Sequence, residues 1–329
     1  MKAIVYTEYG RAEVLNLQKV AQPTPQDDEV LIKVHAATVT TGDVNMRGFT
    51  FVPPGFGPLP RLMFGLTKPK KTILGTELAG EIAAVGKNVR SFKKGDQVFG
   101  IDSTHIGAYA EYVCRPEKGA LATKPVNLSY AEAAALPFGA GTALFFLRDK
   151  AHIQKGQKVL VNGASGGVGS YAVQLAHYFG AEVTGVCSTK NVELVKAMGA
   201  DQVIDYTQTD FTQNGETYDI IFDTVVGRAS FARVKNSLTP QGLYLSIAGG
   251  PREMVQSVWH SMRGGKKIIT GAAVETKESL IFLRKLAEEG HLKPFIDQCY
   301  PLEETAAAHD YVDGGHKRGN VVITIGAST

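Results

Sequence analysis

The spacing of hydrophobic and polar residues changes about 125 residues into the chain. Before that point, apolar and polar positions alternate in short runs, as in residues 29–36 and 81–85. Gly86, Gly95 and Gly100 separate such runs at turn-like intervals. Alternation with a period of two is typical of strands that bury one face, and glycine favours tight turns. The first part of the chain is therefore predicted to form a compact, partly closed β-barrel.

From about residue 126, short apolar runs are separated by longer helical or loop segments. Ser129 and Glu132 form a capping box that predicts a helix over residues 133–136. Six runs have the length of buried strands: residues 158–161, 182–187, 202–205, 218–223, 243–247 and 267–270. This alternation predicts an α/β fold with a doubly wound parallel sheet that ends near residue 271. A helix predicted over residues 277–291 and a strand over 320–325 are expected to return to the first domain.

A glycine-rich segment, residues 162–169, follows the first of these six runs and leads into a helical pattern. Gly166, Gly167 and Gly169 lack the Cβ atom that would hold a pyrophosphate away from the backbone, so N–H groups at the helix start can reach the anion. Ala164 stands where the dinucleotide-binding fingerprint usually has its first glycine. We interpret the segment as a cradle for the pyrophosphate of a dinucleotide; the alternative is a tight structural turn.

The end of the second run indicates which dinucleotide is expected. An NAD-preferring fold places a carboxylate there, roughly twenty residues after the glycines, to accept a hydrogen bond from the adenosine ribose. This chain has Ser188, Thr189 and Lys190 instead, two hydroxyl donors and a cation that suit a 2′-phosphate. These residues predict NADPH. In the alternative interpretation, Ser188 caps a helix beginning near Asn191 and Lys190 is solvated.

Composition narrows the classes of function. The chain has 329 residues, of which 44% are hydrophobic, enough for two domains with large cores. Its 35 basic and 32 acidic residues nearly cancel, which argues against nucleic acid as an obligate partner. Its 3 cysteines have no CxxC spacing, which argues against a disulfide framework and a cysteine-based zinc site. No run reaches membrane-spanning length and no leader pattern is present, so a cytoplasmic protein without an integral membrane segment is expected.

Residues 49–71 interrupt the barrel pattern with prolines, aromatic residues and a basic end at Lys68, Lys70 and Lys71. The prolines exclude a regular element. Three interpretations remain open: a loop packed on its own domain, an apolar lid over a substrate cleft, and a weak contact with a membrane surface.

Several motifs follow one another along the whole chain. They are residues 75–81, 85–86, 95–100, 107–112 and 133–137, the glycine-rich segment, and residues 199–206. With these motifs the chain resembles the medium-chain dehydrogenase/reductase superfamily, specifically its zinc-independent quinone oxidoreductase branch. The resemblance implies a GroES-like β-barrel catalytic domain over residues 1–125 and 272–329 and a Rossmann NADP-binding domain over 126–271. It also implies an active site in the cleft between them and a homodimer.

Two positions argue against a catalytic zinc ion. The zinc alcohol dehydrogenases of this superfamily carry a Cys where this chain has Thr40 and a His where it has Thr76. A neutral hydroxyl is a poor zinc ligand beside thiolate or imidazole, so no metal is expected. Asp43 and Glu77, which flank the metal in those enzymes, are expected to be held by hydrogen bonds or by an arginine such as Arg47, because unpaired buried carboxylates are costly.

The resemblance also implies which residues contact the cofactor. These are Thr142, Ile247 and Gly249, with Thr224 or Val225, at the nicotinamide; Gly166, Gly167 and Val168 at the pyrophosphate; and Ser188, Thr189, Lys190 and Tyr206 around the 2′-phosphate.

Two residues are candidates for catalysis. Thr40 stands where quinone oxidoreductases often carry Asn, and it could still donate one hydrogen bond. Tyr109 is a candidate donor in the cleft, the alternative being a tyrosine packed at a barrel edge with its hydroxyl in water. Lys317 or Arg318 either reaches the cofactor or substrate or forms a solvated basic turn. No role is assigned to the isolated histidines His35, His105 and His260.

The resemblance implies NADPH-dependent reduction of quinones or α,β-unsaturated carbonyls. Without a Lewis acid, alcohol oxidation is difficult, whereas hydride addition to an electron-poor acceptor needs less help. The enolate oxygen would be stabilised by hydrogen bonds and protonated from solvent or the cofactor ribose. The alternatives are an NADPH-binding redox sensor or partner-binding module with little turnover, and an NAD(P)-dependent alcohol dehydrogenase.

Overall fold

A computed structural model describes residues 1–50, 65, 67–225, 230–247 and 265–326 of the chain. The chain divides into two compact units. The first contains residues 1–138, 275–289 and 294–329, and the second contains residues 139–274 and 290–293.

Fifteen strands lie within the described residues. They are β1 (Lys2–Val5), β2 (Asn16–Lys19), β3 (Glu29–Thr38), β4 (Glu77–Val85), β5 (Gln97–Ile101), β6 (Tyr112–Pro116), β7 (Leu121–Thr123), β8 (Lys158–Asn162), β9 (Glu182–Cys187), β10 (Gln202–Asp205), β11 (Tyr218–Asp223), β12 (Leu238–Ser246), β13 (Lys267–Thr270), β14 (Ile296–Pro301) and β15 (Asn320–Thr324).

The same residues contain eight α-helices. They are α1 (Thr41–Gly48), α2 (Tyr130–Ala134), α3 (Pro137–Leu144), α4 (Gly169–Tyr178), α5 (Val192–Ala197), α6 (Phe231–Val234), α7 (Lys277–Glu288) and α8 (Thr305–Asp313). A π-helical turn, Phe145–Lys150, continues α3. Short 3-10 helices are Ala12–Val14, Thr189–Asn191, Phe211–Gln213, Lys235–Ser237 and Leu302–Glu304. None of the helices in the described ranges is both long and apolar enough to cross a membrane.

The second unit is built on a six-stranded sheet in the order β10-β9-β8-β11-β12-β13. Every neighbouring pair in it is parallel. The chain order reverses at β8, so β9 and β11 lie on its two sides. This is the doubly wound parallel sheet that the apolar runs predict, and the predicted fold class is confirmed. Strand β12 begins earlier than predicted. The prediction missed its first residues, which include Pro240, because they lack the apolar pattern.

The first unit contains a seven-stranded sheet centred on β3, which has ten residues. Along one edge β3 pairs with β4, and its other edge is shared by β6 and β15. Strand β15 therefore pairs with a strand almost 300 residues earlier in the sequence. The helix and strand predicted to return to the first domain do so, as α7 and β15. Helix α7 is shorter than predicted, ending at Glu288 before Gly290, whose φ is +78°.

Helix α2 begins at the predicted capping box. The Ser129 side chain accepts a hydrogen bond from the Glu132 N–H, and the Glu132 carboxylate accepts one from the Ser129 N–H at 2.8 Å. This helix packs on β3 and β4 and belongs to the first unit, which extends to residue 138 rather than to the predicted boundary at 125. Most of the 49–71 segment lies outside the described residues, so its three interpretations stay predictions.

Candidate functional site

The glycine-rich turn joins the end of β8 to the start of α4. Gly163 has φ +83°, a conformation that side chains rarely adopt, and a Cβ atom there would lie 2.6 Å from Val225 Cγ2. Its N–H donates to the Val186 carbonyl at 3.1 Å, and the Gly166 N–H donates to the Gly163 carbonyl at 2.9 Å. The turn is therefore tied to β9 on one side and folded back on itself on the other.

The first helical residue, Gly169, packs directly on the turn. A Cβ atom on Gly169 would lie 2.1 Å from the Gly163 carbonyl oxygen, far inside van der Waals contact. The amide N–H groups of Ser165, Gly167 and Val168 have no acceptor within the described parts of the chain. Unpaired amides at the start of a ten-residue helix form an anion-binding site. The predicted Gly166, Gly167 and Val168 are thus placed together in a turn that fits a pyrophosphate.

A buried asparagine, Asn191, joins this turn to the end of β9. Its Nδ2 atom donates to Ser165 Oγ at 3.1 Å and to Ser188 Oγ at 3.2 Å. The Ser188 side chain makes no capping bond to the following 3-10 helix, so the interpretation of Ser188 as a side-chain cap is wrong. The role of Asn191 is not visible in the sequence, because its contacts are with residues of two separate loops.

Thr189 is hydrogen-bonded to the carboxylate of Asp205, which lies sixteen residues later in the sequence. Its hydroxyl donates to Asp205 Oδ2 at 2.5 Å and lies 3.2 Å from Thr207 Oγ1. Asp205 ends β10, and the parallel register sets it opposite Cys187, the last residue of β9. The hydrogen bond from the Thr189 hydroxyl holds the pKa of Asp205 below its ordinary value. Burial acts in the opposite direction, and the Thr207 hydrogen bonds lower the pKa further. The end of β9 itself has no carboxylate, but Asp205 brings one to Thr189 from the end of β10.

Lys190 and Tyr206 complete the strand-end group. Both are exposed, and Tyr206 follows β10 directly, with its N–H donating to the Cys187 carbonyl at 3.0 Å. Because β9 and β10 are paired neighbours, the segments carrying Ser188, Lys190 and Tyr206 meet at one edge of the sheet. Their contact with a 2′-phosphate stays a prediction.

The other cofactor candidates follow β8, β11 and β12. Thr224 donates its hydroxyl proton to the Asn162 carbonyl at 2.8 Å, and the Ile247 N–H donates to the Asp223 carbonyl at 3.4 Å. Thr142 is buried in α3. The predicted Gly249 lies outside the described residues.

Asp223, which no sequence motif singles out, holds these strand ends together. Its carboxylate accepts hydrogen bonds from Asn162 Nδ2 and the Tyr244 hydroxyl, both at 2.8 Å, and from the Val225 N–H at 3.1 Å. Burial raises its pKa above the ordinary value, and these donors oppose the rise. It is a positioning residue, because its donors lie on β8, on β12 and in the loop after β11.

In the first unit, Thr40 is the cap of α1. Its hydroxyl donates to Asp43 Oδ2 at 2.6 Å and accepts from the Asp43 N–H at 3.1 Å, while its own N–H donates to Asp43 Oδ2 at 2.9 Å. Burial raises the pKa of Asp43 to about 6, and the Thr40 hydrogen bonds counteract this rise. Since the hydroxyl proton of Thr40 already goes to Asp43, the geometry supports a structural role more than hydrogen-bond donation to a substrate.

Arg47 does not hold Asp43, so the expectation that an arginine would pair with this buried carboxyl group is wrong. Its Nη2 lies 2.5 Å from Asp313 Oδ2, and its Nε donates to the Gly10 carbonyl at 3.1 Å. The other expectation is correct, because hydrogen bonds hold both buried carboxyl groups. Glu77 accepts from the Thr38 hydroxyl and from the Phe138 N–H.

Burial raises the pKa of Glu77 to about 8. Lys317 is partly buried, donates to the Gly319 carbonyl at 2.7 Å and has its pKa lowered to about 8 by burial, with Glu77 acting in the opposite direction. Arg318 pairs with Asp297 at 3.0 Å. Both residues are partly exposed and bonded within the protein, so the two interpretations of this turn stay predictions.

Tyr109 is fully buried, so the expectation of a hydroxyl in water is wrong. The hydroxyl donates to the Thr38 carbonyl at 3.0 Å, and the ring packs edge-on against His309 with centroids 5.6 Å apart. Burial raises its pKa well above the ordinary value. A phenol whose proton is bound by a backbone carbonyl is a poor proton donor, which favours a packing role.

The positions expected to replace zinc ligands are both buried threonines, Thr40 and Thr76. Among the described ranges of the chain, no three His, Cys, Asp or Glu side chains are grouped as metal ligands would be. The donor set at Thr40 and Thr76 does not fit zinc, because neutral hydroxyls are weak ligands and Thr40 is already committed to Asp43.

Comparison with known families supports the same fold. Residues 26–125 match the family model described as alcohol dehydrogenase GroES-like domain, and residues 198–323 match the one described as zinc-binding dehydrogenase. The structure also resembles the quinone oxidoreductase from Coxiella burnetii, with a TM-score of 0.86, 31% identity and 99% of both chains covered.

Two relatives cover nearly the whole chain. A quinone-oxidoreductase homolog, chloroplastic, from Spinacia oleracea is 33% identical over 98% of this chain and 98% of the relative. An NADPH-dependent alkenal/one oxidoreductase, chloroplastic, from Arabidopsis thaliana is 32% identical over 98% of this chain and 79% of the relative.

Proposed function

The chain belongs to the medium-chain dehydrogenase/reductase superfamily, in its quinone oxidoreductase branch, and from this we propose that it reduces quinones or α,β-unsaturated carbonyls with NADPH. Two relatives support this choice of reaction, since one is named a quinone-oxidoreductase homolog and the other an NADPH-dependent alkenal/one oxidoreductase.

The observation that carries the proposal is the glycine-rich turn after β8. In doubly wound sheets, ligands bind outside the carboxyl ends of the strands where the strand order reverses. That point is the end of β8, between β9 and β11. The unpaired amides of Ser165, Gly167 and Val168 lie there, at the positive end of α4.

We assign the contacts with NADPH to residues of the second unit. The turn amides bind the pyrophosphate, while Ser188 and Lys190 bind the 2′-phosphate. Asn191 keeps the two loops in a fixed relation through its bonds to Ser165 and Ser188. Once bound, the nicotinamide supplies the hydride.

We also propose that the reaction needs no catalytic metal. The side chains of Thr40 and Thr76 do not suit zinc, because neutral hydroxyls are weak ligands for it. Quinones and enones accept a hydride without a Lewis acid, because the negative charge that develops spreads to an oxygen that hydrogen bonds can stabilise.

The proposal is tested by stopped-flow mixing of the NADPH-loaded protein with a panel of small quinones and a panel of enones. We expect NADPH oxidation well above the uncatalysed rate for at least one acceptor, and no loss of rate after treatment with a metal chelator. Oxidation no faster than the uncatalysed reaction with every acceptor would contradict the proposed activity. Reduction of NADP⁺ by simple alcohols would instead favour an alcohol dehydrogenase.

Preference for NADPH is tested by Lys190→Ala. A cation bonded to a phosphate contributes about 1.5–3 kcal/mol, so the NADPH dissociation constant is expected to rise about 10- to 150-fold. The NADH dissociation constant should hardly change, because NADH lacks the phosphate. Lys196→Ala is the control, since Lys196 lies on α5 and pairs with Glu193 at 3.0 Å. Equal weakening of both cofactors in Lys190→Ala would show that Lys190 does not bind the phosphate.

A second candidate function is an NADPH-binding redox sensor or partner-binding module with little turnover. It is favoured by one observation: the hydroxyl protons of Thr40 and Tyr109 are both bound within the protein. Tight NADPH binding without acceptor-dependent oxidation would select it. The homodimer and the cytoplasmic location stay predictions, and both relatives named above are chloroplastic by name.

A further inference from the structure

We propose that Asp205 is a specificity-determining residue that weakens the preference for NADPH over NADH. The inference rests on the proposed function, because it concerns the same dinucleotide site. It assigns to the end of β10 a role opposite to that of Lys190 at the end of β9.

The Asp205 carboxylate is held firmly in place. Oδ2 accepts from Thr189 Oγ1 at 2.5 Å and from Gln208 Nε2 at 3.1 Å, while Oδ1 accepts from the Thr207 hydroxyl at 2.7 Å and the Thr207 N–H at 2.9 Å. All four donors are neutral. No lysine or arginine in the described residues forms an ion pair with Asp205. The group therefore carries a fixed negative charge that no cation in contact with it neutralises.

This charge lies one hydrogen bond from the segment assigned to the 2′-phosphate. Thr189 stands between Ser188 and Lys190, and its hydroxyl proton is directed to Asp205 rather than outward. The consequence is twofold: the site loses one of its predicted donors to the phosphate, and a second anion is held near the phosphate position. NADPH brings a charge close to −2 there, whereas NADH brings none.

Repulsion between two anions several ångströms apart near a protein surface changes affinity by about tenfold after screening by salt. Lys190 attracts the phosphate and Asp205 repels it, so we expect both cofactors to bind, with a modest preference for NADPH. Sequence position alone conceals this balance, because Asp205 follows Thr189 by sixteen residues.

The experiment measures the adenosine half of the cofactor alone, by isothermal titration of adenosine 2′,5′-bisphosphate and of AMP, which differ only in the 2′-phosphate. In Asp205→Asn we expect the bisphosphate to bind about tenfold tighter at low salt and AMP to change less than about twofold. The gain should shrink in high salt, because screening weakens the repulsion that the substitution removes.

Asp210→Asn is the matched control. Asp210 accepts hydrogen bonds from the N–H and hydroxyl of Thr212, two residues on, as Asp205 does from Thr207, but it pairs with Arg233. Asp210→Asn therefore removes a carboxylate charge from a turn with the same hydrogen bonds, but it leaves the contact between Asp205 and Thr189 intact. We expect no selective change for either ligand.

Unchanged bisphosphate affinity in Asp205→Asn, or an equal change for both ligands, would overturn the inference while leaving the proposed function standing. A second variant, Asp205→Ser, guards against a local folding defect and should show the same selectivity. Wild-type protein that binds neither NADPH nor NADH would overturn the proposed function and this inference together.

Discussion

Replacing Gly169 by alanine is expected to lower the free energy of unfolding by about 3 kcal/mol and to abolish measurable NADPH binding. The added Cβ would lie 2.1 Å from the Gly163 carbonyl oxygen, 2.8 Å from its carbonyl carbon and 3.0 Å from Ala164 Cα. All three are backbone atoms, so no side chain can move aside. The helix start must shift away from the turn, and the amides that we propose to bind the pyrophosphate shift with it.

Denaturant unfolding and a fluorescence titration with NADPH measure the two effects. Gly156→Ala separates steric overlap from backbone strain, because Gly156 has φ +82° but no atom within 4 Å of its Cβ position. It should cost about 1–2 kcal/mol and leave NADPH binding intact. Wild-type NADPH affinity in Gly169→Ala would contradict the assignment of this turn to the cofactor.

Replacing Glu77 by glutamine is expected to stabilise the first unit by about 3 kcal/mol at pH 7 and to have little effect below pH 4.5. Burial raises the pKa of Glu77 to about 8, whereas the ordinary value in the unfolded chain is 4.5. A raised pKa contributes stability that is fully present below pH 4.5 and is lost as pH rises through 8. Between pH 4.5 and 7, at about 1.4 kcal/mol per pH unit, the loss amounts to about 3 kcal/mol.

Glutamine removes this loss because it is neutral at every pH. Its amide can still accept from the Phe138 N–H, at 2.6 Å in the present structure, and can donate to the Thr38 hydroxyl. Denaturant unfolding of the wild type and the variant between pH 4 and pH 8 measures the difference. The two curves should meet at low pH and separate steadily toward pH 8.

Glu117 supplies a control of opposite sign. The N–H groups of Ser91 and Arg90 hold the pKa of this carboxyl below its ordinary value. Glu117→Gln is therefore expected to destabilise the protein at pH 7 and to have less effect at low pH. If the effect of Glu77→Gln on stability were the same at every pH, the pKa of Glu77 would be equal in the folded and unfolded chain, and the expected pH dependence would be wrong.

Local patterns were sufficient for the elements of the fold. The six strands of the parallel sheet follow from short apolar runs, and the capping box at Ser129 and Glu132 follows from residues three apart. The glycine-rich turn was equally visible, because a missing Cβ is a property of the residue itself. Predictions of this kind depend on contacts between residues close in sequence.

The predictions that failed concern side chains whose partners lie on other elements. The Tyr109 hydroxyl donates to the carbonyl of Thr38, 71 residues away. Arg47 pairs with Asp313 across 266 residues. No periodicity within a strand or helix determines which of several distant residues a buried polar group will meet.

The sequence by itself determined a doubly wound sheet with a glycine-rich turn at its centre, since strand period, helix caps and glycine positions are local properties of the chain. Only the tertiary structure decided that Asp205 lies beside Thr189 and that Asn191 joins Ser165 to Ser188. The physical reason is register: pairing of β10 with β9 sets Asp205 opposite Cys187, and a shift of one residue would turn each side chain of β10 to the other face.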